Sequence, residues 1–244
     1  MRKKFFYRLV STVNILIVWL MNILRNNKLS FQPYLFIKVN LKIKGKLNSL
    51  KFEEKSEIKK TKIIVTGDQN VIIIKNNAFI SNLKLIIKGS GNYVEIGENT
   101  RISKLEVTIN SNSSKLIIGK DTTISGFSEM IIKENKDLII GDDCMISRNV
   151  IFRTSDSHSI IDKKTHKRIN FAKNISIGNH VWIGQNVSLL KGTHINDNNI
   201  IASNTTVTKP ITDTNVVIGN TPAKVLKTSV NWDRKLINME DYTI

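Results

Sequence analysis

The chain has 244 residues, with 37 Lys and Arg against 20 Asp and Glu, a formal net charge of +17 and a pI near 9.9. Its single cysteine, Cys144, excludes an intramolecular disulfide framework and fits a reducing compartment. The basic balance calls for anionic company, whether nucleic acid, membrane surface, acidic glycan or a phosphorylated cofactor, although the joint abundance of Lys, Asn and Ile spreads much of that charge over solvated surface.

Residues 1–26 read as a separate element. Arg2, Lys3, Lys4 and Arg8 lead into an apolar stretch broken by Ser11, Thr12, Asn14 and Asn22. On a helix, Lys4, Arg8, Ser11, Asn14, Asn22 and Arg25 gather on one side and Phe6, Leu9, Val13, Leu16, Leu20 and Leu24 on the other, with Ile15 and Val18 spoiling the polar side. The expectation is an amphipathic helix at a membrane interface, its cationic face toward anionic head groups. A spanning anchor and a helix packed on the protein itself are the alternatives, and no small-residue cleavage site comes after the apolar stretch.

Residues 27–70 are the least informative, serving as a transition, an N-terminal cap or the first turn of a solenoid. Positions 36–43 alternate like a strand, and the charged stretch 51–62 reads as a solvated loop. From Val71 a repeat of 22 residues appears in Ile74 to Ser81, Ile96 to Ser103, Ile118 to Ser125 and Ile140 to Ser147, each preceded by a polar bridge. Cys144 falls in a slot of that repeat and reads as a small packed side chain. Positions 152–174 break the spacing and are too polar for an interior, so they project as a loop, which is where a solenoid can build a pocket. The loop carries Asp156, His158 and His166.

Past the loop, Ile177, Ile183, Leu189, Ile195, Ile201 and Val207 return every sixth position. Neither a helix, with a period of about 3.6, nor a half-buried strand, with a period of 2, repeats that way. Six suits a coil of three flat sides whose corners return an aliphatic rung to the axis, and the 22-residue copies read as 18-residue turns enlarged at one corner. The residue after each rung (Gly178, Gly184, Leu190, Asn196, Ala202, Thr208) is assigned to a tight corner, which Leu190 fits worst. The predicted fold is an all-β solenoid of hexapeptide repeats over residues 71–227, with residues 228–244 as a C-terminal tail that packs on a neighbour.

Three stretches carry a resemblance. They are Ser155-Asp156-Ser157-His158-Ser159-Ile160, Gly178-Asn179-His180-Val181-Trp182-Ile183-Gly184 and Gly219-Asn220-Thr221-Pro222-Ala223-Lys224. Over roughly residues 71–227 the chain resembles the hexapeptide-repeat O-acetyltransferases of bacterial surface polysaccharides, notably the polysialic acid and capsular group. That resemblance implies a left-handed parallel β-helix, acetyl-CoA as donor, a homotrimer with sites between neighbouring subunits, His158 as the base and Trp182 at the acetyl end of the donor. It further implies Gly184, Ala202, Ser203, Lys209, Pro222 and Lys224 along the donor. Asn204 stands where family members carry Gly, which reshapes the expected pantetheine slot.

The chemistry agrees. A sugar hydroxyl attacking a thioester needs a base, an imidazole titrates near pH 6.5, and the imidazolium can return the proton to the leaving thiolate. Asp156, two residues before His158, or equally a backbone carbonyl, is the candidate to orient the ring, and backbone N–H groups beside Trp182 are the simplest oxyanion donors. No GxSxG context marks a nucleophile, so direct transfer is preferred. His166 reads as part of a solvated basic loop, His180 and His194 as structural, and Trp182 alternatively as packing at a subunit contact. No metal is expected, and no recognition motif accompanies the charge to suggest nucleic acid. The expected activity is O-acetylation of a cell-surface glycan or its precursor, with an anionic acceptor suiting the basic balance, at the cytoplasmic face of the membrane. The alternatives are an acetyltransferase for a small sugar, nucleotide-sugar or xenobiotic, and a non-catalytic β-helix scaffold.

Overall fold

The computed structural model describes residues 26–238. The expected amphipathic helix over residues 1–26 therefore falls almost wholly outside the described residues. Among the described residues no helix is long and apolar enough to cross a membrane.

Parallel strands stack coil on coil around a triangular axis. The first face is an eight-stranded sheet in which Lys28–Phe31, Ser49–Phe52, Val71–Ile74, Tyr93–Ile96, Lys115–Ile118, Leu138–Ile140, Ile175–Ile177 and His194–Ile195 succeed one another. The second face runs from Leu35–Ile37 through Glu57–Lys59 and Phe79–Ser81 to Met145–Ile146, Trp182–Ile183, Ile200–Ile201 and Val217–Gly219. The third face holds Asn40–Lys44, Lys62–Thr66, Leu83–Lys88, Val150–Arg153, Ser188–Leu190 and Thr206–Val207. Faces two and three share one hydrogen-bonded network because Arg101–Asn110 and Thr123–Lys133 bend round the corner between them. This is the predicted all-β hexapeptide solenoid, and among the described residues its first strand is Lys28–Phe31, so residues 28–66 supply two coils ahead of the expected start at 71.

The charged stretch 51–62 is not a loop. Phe52 and Ile58 are fully buried and belong to strands, while Lys51, Glu53, Glu57 and Lys59 face outward and pair as Lys51–Glu53 and Lys59–Glu57. Alternation at period 2 hides an apolar interior among charges when every second residue faces water.

The axis is filled by the predicted rungs. Ile74, Ile96, Ile118, Ile140, Ile177, Ile183, Leu189, Ile195, Ile201 and Val207 are each at most 2% exposed. Burial of each such side chain contributes on the order of 1.5–3 kcal/mol, and β-branched residues suit the pleat. Coil length changes along the axis: equivalent residues on the first face lie 22 apart early, 37 apart across the projecting loop and 18 apart afterwards.

Corner chemistry differs from the sequence expectation. The left-handed φ falls three residues after the rung, at Asn77, Asn99, Asp121, Asp143, His180, Asn186, Asn198 and Asn204. Asn and Asp tolerate that region because their short side chains bond locally. The glycine directly after the rung answers to stacking instead. A Cβ on Gly119 would lie 2.4 Å from the backbone of Gly141, and one on Gly141 2.6 Å from the carbonyl oxygen of Gly178.

A second column stabilises the corner between faces three and one. Asn48, Asn70, Asn92 and Ser114 are fully buried. Each asparagine Oδ1 accepts the next coil's backbone N–H at 3.0 Å, and the Nδ2 groups of Asn70 and Asn92 donate to the preceding Oδ1 at 3.0 and 2.9 Å. Stacked identical amides satisfy one another, which removes the penalty for burying them.

The last coil is closed by its own chain. Lys224–Lys227 returns antiparallel on Val217–Gly219. The tail then crosses face two, with Trp232 only 6% exposed, stacked on His180 at 4.2 Å between centroids and donating Nε1–H to the His180 carbonyl at 3.0 Å. Arg234 continues the contact, donating to Asp143 Oδ1 at 2.9 Å, Thr123 Oγ1 at 3.0 Å and the Asp121 and Cys144 carbonyls. Among the described residues, the tail thus packs on its own coils, where the sequence suggested a neighbour.

Candidate active site

The projecting loop is an ordered hairpin over residues 154–173. It leaves face three after Arg153, doubles back at an Ile161–Arg168 antiparallel bridge and re-enters at Ile175. Its tip is an Asp-capped turn: Asp162 Oδ1 accepts Thr165 N at 2.7 Å and Thr165 Oγ1–H at 2.8 Å. His166 sits at that tip, exposed, with its backbone N–H on the Asp162 carbonyl at 2.9 Å.

The loop is held by residues whose roles no local pattern reveals. Asn170 is 7% exposed and bonds in three directions: its Nδ2 donates to Asp156 Oδ2 at 2.7 Å and to the His158 carbonyl at 2.8 Å, while its Oδ1 accepts Ile160 N at 2.7 Å. Lys191, one coil away, pairs with Asp156 and donates to the Asn170 carbonyl at 3.2 Å. Glu134 anchors the base of the hairpin through both oxygens to Arg168, at 2.8 and 2.9 Å, and accepts from Ser155 Oγ–H. The Arg168 bonds first, and the Ser155 bond second, hold the Glu134 carboxyl down at about 2. Lys191 beside Asp156 likewise keeps that carboxyl below the usual carboxylate range.

His158 is exposed on this loop, and its ring bonds to no described residue. Asp156 therefore does not meet the ring; it is turned to Asn170 and Lys191, and its link to His158 runs through the Asn170 amide to the His158 carbonyl.

Trp182 stands on a different face. It is 37% exposed on face two, between Met145 and Ile200 in the sheet, with its ring 6.3 Å from that of Trp232. Gly184 and Ala202 lie at the next corner, in the coil step where Ala202 N donates to the Ile218 carbonyl at 2.8 Å. Exposed Ser203 accepts Gln185 N at 3.2 Å. Pro222 and Lys224 lie on the returning segment above them, exposed. Lys209 belongs elsewhere: it lies two residues past Val207, as Lys191 lies two past the paired Leu189, and so shares the corner of the loop. The predicted residues thus form two groups within one protomer. His158, Asp156 and Lys209 occupy the corner between faces three and one; Trp182, Gly184, Ala202, Ser203, Pro222 and Lys224 occupy face two and the corner after it.

One expectation changes, and Asn204 gains a structural account. The N–H groups of Trp182 and Gly184 are committed to the carbonyls of Asn199 and Ile201, at 2.9 and 2.8 Å, so neither is free to meet an oxyanion. Asn204 has a structural reason: its φ is +62°, and its Oδ1 accepts Asn186 Nδ2 at 3.0 Å, as Asn186 Oδ1 accepts Asn149 Nδ2 at 3.1 Å. It extends an outward asparagine ladder along a corner.

Outside the loop, the cysteine and the two other histidines are engaged by the scaffold. Cys144 is buried, its Sγ donates to the Gly178 carbonyl at 3.2 Å, and burial pushes its thiol up to about 12. His180 Nδ1 lies 2.7 Å from Asp143 Oδ2 under the Trp232 ring, and His194 lies between Ser176 and Asn196. Among the described residues, no group of three or more His, Cys, Asp and Glu side chains is gathered as a metal site.

A sequence profile for bacterial transferase hexapeptide repeats (six repeats) matches residues 174–209. A polysialic acid O-acetyltransferase of Escherichia coli O1:K1 is 42% identical over 90 residues, 37% of this chain and 29% of that protein. A polysialic acid O-acetyltransferase of Neisseria meningitidis is 33% identical over 98 residues, 40% of this chain and 46% of that protein. These sequence matches span less than half of either relative. Across whole folds the similarity is broader. The solved polysialic acid-specific acetyltransferase NeuO is 32% identical with a TM-score of 0.70, covering 89% of this chain and 94% of its own. The polysialic acid O-acetyltransferase OatWY is 32% identical with a TM-score of 0.74, covering 88% and 96%.

Proposed function

The chain belongs to the hexapeptide-repeat O-acetyltransferase family that includes the polysialic acid O-acetyltransferases, and from that premise we propose that it transfers acetyl from acetyl-CoA to a hydroxyl of a bacterial capsular or related surface polysaccharide. The observation that carries this reading is the placement of His158 on a braced loop with an unengaged ring.

In this reading His158 takes the proton from the acceptor hydroxyl as the oxygen attacks the thioester carbonyl, then gives it to the departing thiolate. Asn170 and Lys191 hold the segment that carries it. Trp182 packs beside the acetyl end of the donor. Gly184 and Ala202 add almost no side-chain bulk at the adjoining corner, which fits a narrow pantetheine arm, and exposed Lys224 suits a phosphate as a compact point charge. The two groups sit on different corners of one protomer, which supports a complete site made between two copies: His158 of one copy faces Trp182 of its neighbour in a cyclic trimer. Lys209, on the loop's corner, then meets the donor from the other side of the junction. Cytoplasmic action accords with acetyl-CoA as donor, with any membrane contact made by residues 1–26.

The test is thiol release from acetyl-CoA with polysialic acid and other capsular glycans as acceptors, wild type against His158→Ala, both shown to be folded. Loss of a base of this kind typically costs 10²–10⁴-fold in turnover. Turnover within about twofold of wild type would remove His158 from the reaction.

A further inference from the structure

We infer that the outer edge between faces three and one is a binding track for an anionic glycan chain, running along the solenoid axis toward the loop that bears His158. The inference rests on the reading of the acceptor given above, and it extends that site over coils far from the loop.

The track begins with register. Lys44, Thr66, Lys88, Asn110 and Lys133 stand one above another at the end of successive face-three strands. With neighbouring strands about 4.8 Å apart, the five span roughly 20 Å, and a lysine recurs about every 10 Å. Lys44, Thr66, Lys88 and Asn110 are exposed, and the ammonium of Lys133 donates to Ser157 Oγ at 2.9 Å, one residue from His158.

Beside this column the edge is hollowed. A depression of about 480 Å³ is lined by Lys44, Gly45, Lys46 and Asp68, and a second of about 520 Å³ by Lys88, Asn110, Ser111, Asn112 and Asn135, with Glu134 among its walls. Between those side chains Gly45, Gly67 and Gly89 stack in a column for a steric reason. Gly45 and Gly67 have φ of +141° and +128°, and a Cβ on either would lie 2.0–2.1 Å from the carbonyl oxygen of the next coil's glycine. The buried asparagine ladder directly inside this edge keeps it rigid, so a ligand meets a preformed surface.

Charge and chemistry select the ligand. Two carboxylates touch the track: Glu134 is neutralised by Arg168, while Asp68 accepts the backbone Lys46 N–H at 2.8 Å and keeps its charge. Against that one unneutralised carboxylate stand Lys44, Lys46, Lys88 and Lys133, so the track is net cationic. Hydroxyl and amide side chains lie between the cations, which suits a hydroxyl-rich chain carrying widely spaced carboxylates. A nucleic-acid strand carries a charge about every 3.4 Å and binds on aromatic platforms, whereas no aromatic residue lines either depression.

The experiment is equilibrium binding of long-chain polysialic acid to the full chain at low salt, without acetyl-CoA. Wild type is compared with the K44E/K88E double variant and with K55E/K60E, which makes the same charge change at exposed corners away from the track. All three are first shown to share one melting temperature within about 2 °C. The expected result is at least tenfold weaker binding for K44E/K88E, less than twofold for K55E/K60E, and weakening of wild-type binding as salt screens the lysines. Equal losses in the two variants would mean that net charge alone attracts the polymer, and the track is then overturned. No binding by wild type, or no loss in K44E/K88E, overturns it as well. Thiol release, scored separately, decides the acetyltransferase reading whichever way the binding falls.

Discussion

One amide does the most at the loop. Asn170 joins the Asp156 carboxylate, the His158 carbonyl and the Ile160 N–H within 2.8 Å. Asn170→Ala leaves those groups without their partner and lets the segment carrying His158 shift, and a displacement near 1 Å can cost on the order of 10²-fold in turnover. We expect kcat to fall about 10- to 100-fold while the KM for acetyl-CoA stays within about twofold, measured by steady-state thiol release. A parallel rise in that KM, or an unchanged kcat, would show that Asn170 only stabilises the loop. Asn170 was invisible in the sequence because its partners lie 10 to 14 residues away in a segment with no period.

At the scale of elements, the hairpin and the corner ladder invite separate tests. The Glu134 carboxyl is held at about 2, below its unfolded range near 4.3, so the brace it gives the hairpin is fully present above the unfolded value and is lost as pH falls through the folded one. Limited proteolysis within residues 154–173 should therefore stay flat from neutral pH to about 5 and rise between roughly pH 4.5 and 2 with an acid-stable protease, whereas Glu134→Gln should be cut faster already at neutral pH. In the ladder, Asn70→Ala removes the acceptor for Asn92 and leaves buried polar groups without partners. It should cost about 1–3 kcal/mol, and each kcal/mol lowers Tm by roughly 2–4 °C in a chain of this size, as calorimetry would read. The rungs, the 22-residue repeat and the loop were legible because each repeats or breaks a period. The ladder was not, since Asn48, Asn70 and Asn92 look like ordinary bridge residues until stacking puts them on one line.

For the whole molecule, the division of site residues between two corners carries the sharpest prediction. If His158 of one copy works opposite Trp182 of the next, His158→Ala and Trp182→Ala complement each other. Subunits of the two variants, unfolded together and reassembled in equal amounts, leave about one junction in four with both residues intact. Turnover should then recover to about a quarter of the wild-type rate from two nearly inactive parents. Recovery no greater than the mean of the parents would place His158 and Trp182 in independent roles.

The sequence by itself determined the solenoid, since a six-residue return of aliphatic side chains admits only an axis that meets every corner, and it determined where that axis is interrupted. Composition accords with the same geometry: Ile fills the rungs, Asn takes the left-handed corners, and Lys lies on outward positions. Only the tertiary structure decided which corner each site residue occupies and what holds it there. Arg168 reaches Glu134 across 34 residues and Lys191 reaches Asp156 across 35. Such contacts have no period to announce them, because they arise from coils of 22, 37 and 18 residues falling into register.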